Sequence, residues 1–111
     1  MTPEQRVTAM TGKQYMAQVA RLSCLPCRLL GIEGTPAQVH HPRKFGGLRS
    51  NVDKETIPVC DPHHDGTEQS IHMNRKHVAE MFGMSEQEMA EQTRRDVIAL
   101  LSCDVRYARA A

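Results

Sequence analysis

Cysteine and histidine are concentrated in the middle of the chain, at Cys24-Leu25-Pro26-Cys27, His40-His41 and Cys60-Asp61-Pro62-His63-His64. Two ligands separated by two residues can reach one ion from a single turn. Two such pairs complete a closed, tetrahedral, structural zinc site. Cys24, Cys27, Cys60 and His63 are therefore the expected zinc ligands. The plainer alternative is three buried thiols and a surface histidine. A chain of 111 residues with 4% aromatics and no Trp has few bulky core fillers, and that shortage favours a metal cross-link. Cys103 is not spaced with the other cysteines and reads as a small core residue.

Allotting His63 to zinc leaves His40, His41, His64, His72 and His77. Neighbouring residues on a strand point to opposite faces, so His40 and His41 do not easily share one ion. A division of labour follows, in which one binds metal and the other accepts a proton. That is the chemistry of a one-metal phosphodiesterase. An imidazole-held divalent ion stabilises charge on the leaving oxygen while a neutral imidazole takes a proton from the attacking water. Imidazole suits the role because its unperturbed pKa, about 6.5, leaves much of it neutral near pH 7. The competing arrangement is a second structural zinc built from both histidine pairs, with no open coordination position.

These residues need elements to position them. Thr2-Pro3-Glu4-Gln5 has the pattern of an N-cap, a Pro at N1 and a Gln at N3, which predicts a short helix to about Met10. Thr11 reads as a second cap. Tyr15, Met16, Val19, Ala20 and Leu22 then recur at helical spacing and carry the chain to Cys24. From Ser23 to Ile71 the composition turns to Gly, Pro, His and Cys, as in a loop-rich, metal-organised core. Gln38 to His41 and Thr56 to Cys60 are the expected strands, joined by a polar loop from Pro42 to Glu55. Pro58 restricts the second strand to an edge, or to a position that needs no N–H. Asn74 is a candidate cap for a helix with Val78, Met81 and Phe82 on its apolar face, stopped by Gly83. Ser85-Glu86-Gln87-Glu88 is a capping box opening a last helix with Met89, Thr93, Val97, Leu100 and Leu101 at helical spacing. The expected organisation is one domain: a helical lead-in over 1–22, a metal-binding core over 23–83, a C-terminal helix over 84–103 and a frayed tail over 104–111.

Composition excludes little about partners. The net charge is +1, and between Arg21 and His77 eight Lys and Arg face six Asp and Glu. Placement says more than balance. Arg43, Lys44 and Arg49 fall in the loop after His41, and Arg75 and Lys76 follow His72, where they could track a phosphate backbone without reading sequence. The bland alternative for each is a solvated charge. Scarce aromatics leave little room for base stacking. No apolar run approaches the ~20 residues of a membrane span. No apolar leader precedes the cysteines, which points to metal-bound thiolates in a reducing cytoplasm.

The ordered series Cys-x-x-Cys, a His-His pair ending a strand, a Gly-containing loop, Ile-Pro-Val-Cys-x-x-His-His and Ser-Ile-His resembles the HNH (His-Me finger, ββα-metal) endonucleases. Within them it is most similar to the recombination-enhancement, RecA-dependent nucleases of phages and prophages. The resemblance spans roughly Ser23 to Gly83. It implies an α+β fold, with a small ββα-metal core and a structural zinc knuckle flanked by N- and C-terminal helices. It also implies a metal-dependent DNA endonuclease of low sequence specificity in the bacterial host cytoplasm, with a RecA filament as a partner in recombination. Carried over by residue, His41 is the general base. His40, His64 and His72 hold the catalytic divalent metal, Mg²⁺, Mn²⁺ or Zn²⁺, alongside the structural Zn²⁺. The middle Asn of the family motif has no clear counterpart. Asn51 comes early, and Asp53 is the other residue near its place, where the usual role is to hold the loop or orient the base. A basic N-terminal arm for DNA is also missing, since the first twenty residues read as ordinary amphipathic helix. The rival class is a catalytically silent zinc-finger-like module that docks on DNA or protein, which has no use for His41 beside a metal ligand.

Overall fold

A computed structural model of the protein describes residues 1–42, 52–60 and 78–110, the last segment with side chains from 80 to 103. Helix α1 spans Pro3–Ala9 and α2 Gly12–Val19. A five-residue helix α3, Leu25–Leu29, follows, then strand β1, Gln38–His40. A 3-10 turn at Asp53–Glu55 leads directly into β2, Ile57–Val59. Helix α4 is Val78–Phe82 and α5 Glu86–Ala110. The chain is thus a small α+β protein with a two-stranded sheet and helices. Among the described residues no helix is long and apolar enough to cross a membrane.

Local sequence explains most of these boundaries. Both Thr2 with Gln5 and Thr11 with Gln14 form reciprocal capping boxes, each side chain accepting from the other residue's N–H at 2.8–3.2 Å. Ser85 and Glu88 repeat the device at the start of α5. Each box satisfies two backbone donors that a helix start leaves unpaired. Gly83 stops α4 at φ +74°, a left-handed conformation that costs a residue without Cβ little.

Three expectations are corrected, on the end of α2, the extent of α5 and the place of Cys103, and one short helix is added. Helix α2 ends at Val19, and the chain turns before Cys24 instead of delivering it on a continuous helix. The first cysteine pair lies on a helical turn, where Cys24 caps α3 and Pro26 sits in a first turn that needs no proline N–H. Helix α5 continues past Cys103 to Ala110, because nothing from Asp104 onward breaks a helix and Arg and Ala favour one. Cys103 itself is exposed. It lies two residues beyond Leu101, about 200° round the helix from the stripe that Val97 and Leu101 bury.

The apolar interior has two parts. Val7, Tyr15 and Val19 of the lead-in pack on Val97 and Leu101 of α5. Leu25, Ile57, Val59 and Phe82 pack on Met89 and Ala90 near the start of that helix. Helix α5 is therefore a common spine, and the hairpin is seated on its N-terminal half. The strands pair antiparallel, with Gln38 opposite Val59, Val39 opposite Pro58 and His40 opposite Ile57. Among the described residues the sheet has two strands, so β2 is paired on one side there, in keeping with the expectation that Pro58 lies on an edge or where no N–H is needed.

Candidate metal centre and the pairing of His41 with Asp53

The hairpin register sets out the chemistry. Cys60 follows the C-terminal end of β2, next to the start of β1, and His41 follows the C-terminal end of β1, next to the start of β2. At a rise of ~3.3 Å per residue the two ends stand roughly 13 Å apart.

At the cysteine end, Cys24, Cys27 and Cys60 are all buried and form their own cluster, with Ala37 packed against it. Their sulfurs lie within 4.8 Å of one another. The Cys27 and Cys60 Sγ atoms are 3.7 Å apart. Four sulfurs at a Zn–S distance of ~2.3 Å are spaced roughly 3.8 Å along each tetrahedron edge, so this pair already has the separation that one zinc imposes. The backbone holds the loop closed. Cys27 N–H donates to Cys24 Sγ at 3.4 Å, Cys24 N–H donates to the Thr35 carbonyl at 2.8 Å, and Ile32 N–H to the Cys27 carbonyl at 2.8 Å.

Burial pushes the Cys24 thiol up to about 12, with the backbone amides of Cys27 and Cys60 pulling against that rise. A thiolate there is costly without a cation, which is the electrostatic condition a bound metal relieves. Three buried sulfurs at this spacing fit a metal ion such as zinc. His63, the expected fourth ligand, lies outside the described residues, so Cys24, Cys27 and Cys60 are the part of the expected set that the structure brings together.

At the other end, His41 Nε2 lies 3.0 Å from Asp53 Oδ1. The local fold accounts for the pairing. His40 is opposite Ile57, so His41 falls beside Thr56, and the Thr56 hydroxyl donates to the Asp53 carbonyl at 2.8 Å. That bond closes the 3-10 turn, from which the Asp53 carboxylate meets the imidazole. The His41 side chain is 18% exposed and that of Asp53 40%, so the pair is open to solvent from one side. His40 is 1% exposed. The two histidines thus differ in burial, as the expected alternation of strand neighbours requires. Of the residues suggested for the middle position, Asp53 reaches His41, and Asn51 lies outside the described residues. No short motif marks Asp53. Only the 3-10 turn, which the sequence does not announce, brings its side chain back to His41.

His64 and His72, expected beside His40 on a second ion, lie outside the described residues, as do Arg43, Lys44, Arg49, Arg75 and Lys76. Among the described residues, Cys24, Cys27 and Cys60 are the one group of three or more metal-binding side chains that converge. No protein-family model, curated protein or solved structure matches the chain.

Proposed function

We propose that the protein is a metal-dependent endonuclease of the HNH type, hydrolysing phosphodiester bonds in DNA with His41 as general base. The observation that carries this reading is the 3.0 Å contact of a part-exposed His41 with Asp53, at the hairpin end away from the cysteines. An ionised Asp53 accepts from Nε2–H and so favours the neutral tautomer in which Nδ1 carries no proton. Nδ1 then removes the proton from a water attacking phosphorus, and the bond to the leaving oxygen breaks as the new P–O bond forms. His40, with His64 and His72, is the proposed seat of a divalent ion, which when bound supplies charge stabilisation at the phosphate. In this proposal the cysteine cluster carries the structural zinc with His63, giving a ββα-metal core. Arg43, Lys44, Arg49, Arg75 and Lys76 are assigned to backbone phosphates, and the RecA filament is the proposed partner. None of these assignments adds to the support, which comes from the residue pattern and the His41–Asp53 pair.

Incubation of supercoiled plasmid with the protein and Mg²⁺ or Mn²⁺, with and without a RecA filament on single-stranded DNA, tests the reading. His41→Ala should lower nicking on the order of 10²–10⁴-fold. Equal nicking by both proteins rejects His41 as the base. The second reading, a silent zinc-bearing docking module, draws on the fact that the cysteine cluster is assembled without any help from His41. Tight DNA binding with no nicking under any of these conditions would favour it.

A further inference from the structure

We propose that Gly12 is a positioning residue for His41, acting through Asp53, so that the N-terminal lead-in forms one wall of the site. The consequence for activity rests on His41 being the base; the structural claim does not.

Helix α2 packs against the 3-10 turn that carries Asp53. Gly12 is the first residue of α2, directly after its cap Thr11. A Cβ at Gly12 would collide with the Asp53 carboxylate, lying against Oδ2 while coming within 2.7 Å of the Asp53 Cβ and 3.0 Å of its Cγ. The side chain that meets His41 through Oδ1 is therefore backed on its Oδ2 side by bare backbone of α2. The turn is also tied to α1, where Lys54 Nζ donates to the Thr8 carbonyl at 3.0 Å.

Ordinary reasons for glycine do not apply here. Gly12 is not among the glycines with positive φ, and Ala is the better residue for a helix on propensity alone. Among the described residues, the three atoms nearest to a Cβ there all belong to Asp53. Gly12→Ala therefore probes this contact, and the Asp53→Gly background separates an effect that runs through Asp53 from a general packing defect.

The test uses the full chain and the imidazole ¹⁵N resonances of His41, assigned by their loss in His41→Gln. These report tautomer and hydrogen bonding without DNA or a nuclease assay. Asp53→Gly should shift them by removing the carboxylate. Gly12→Ala should move them the same way, and adding Gly12→Ala to Asp53→Gly should cause no further change. Nicking should fall about tenfold to a hundredfold in each single variant, and no further in the pair. Wild-type resonances in Gly12→Ala, or a full additional effect in the Asp53→Gly background, overturn the proposal. If Gly12→Ala does not fold, Asp53→Gly must restore folding by vacating the space, and failure to do so overturns it as well. A wild-type chain that never nicks DNA defeats the nuclease reading, while the resonance shifts still decide the role of Gly12.

Discussion

At one end of the hairpin three thiols from two chain segments are sealed inside the fold; at the other an imidazole and a carboxylate meet in a part-open position. The two ends share β1 and β2 and differ in what surrounds them. Around the cysteines, loop closure by backbone hydrogen bonds removes water and leaves sulfur as the available partner for an ion. Around His41 the Asp53 carboxylate contacts the ring and both side chains keep some exposure to solvent. The contrast teaches that one short hairpin can hold ligand-type residues in very different degrees of burial, and the proposed function gives each end its own job. A closed ligand set suits a structural ion, whereas a general base needs access to solvent.

Changes at the cysteine end should have the largest effect, and on stability. Cys60→Ser removes one of three converging sulfurs. Metal content should fall from one tightly held zinc per chain to none, with a loss of stability on the order of several kcal/mol, read by metal analysis and thermal melting. Retention of both would show that the cluster is only a group of packed thiols. Acid should act in the same direction, because ligand thiols must lose protons to bind metal, so affinity rises with pH.

Changes at the histidine end should spare the fold. His41→Ala, beyond its effect on nicking, should keep full zinc content and alter stability by no more than about 0.5–1 kcal/mol. Asp53→Asn should reduce nicking about 10–100-fold by weakening control of the ring, again with zinc retained. Loss of zinc in either variant would break the separation between the two ends.

The smallest effect is expected away from both. The Tyr15 hydroxyl is buried without a hydrogen-bond partner among the described residues. Burial pushes its pKa up to about 12, while the nearby Arg94 opposes and Asp96 reinforces the rise. The folded state therefore prefers the neutral phenol. The associated stability is complete below the unfolded pKa of about 10 and is lost as pH climbs toward 12. Tyr15→Phe should leave stability at pH 7 within about 1 kcal/mol, on the stabilising side, and flatten the decline between pH 10 and 12. An unchanged alkaline decline in denaturant titrations would assign it to another group.

Much of the fold was legible because its signals are local. Thr2, Thr11 and Ser85 each have their capping partner three residues on, and all three helices start where those pairs stand. The Cys24-x-x-Cys27 spacing marks one half of the sulfur cluster, and Cys60 joins it as expected. Cys103 was misread because core membership depends on which stripe of α5 faces the lead-in, and Val97 and Leu101 define that stripe.

By itself, then, the sequence determined the capped helices, the two short strands and the sulfurs that converge, all of which depend on neighbours within a few residues or on ligand-type chemistry. Only the tertiary structure decided that His41 meets Asp53, that His40 is buried and that Gly12 lies against the carboxylate. Those contacts depend on hairpin register, on a 3-10 turn and on helix packing across 40 residues of chain. Such long-range contacts are fixed by where apolar faces can be buried together, which no local spacing records.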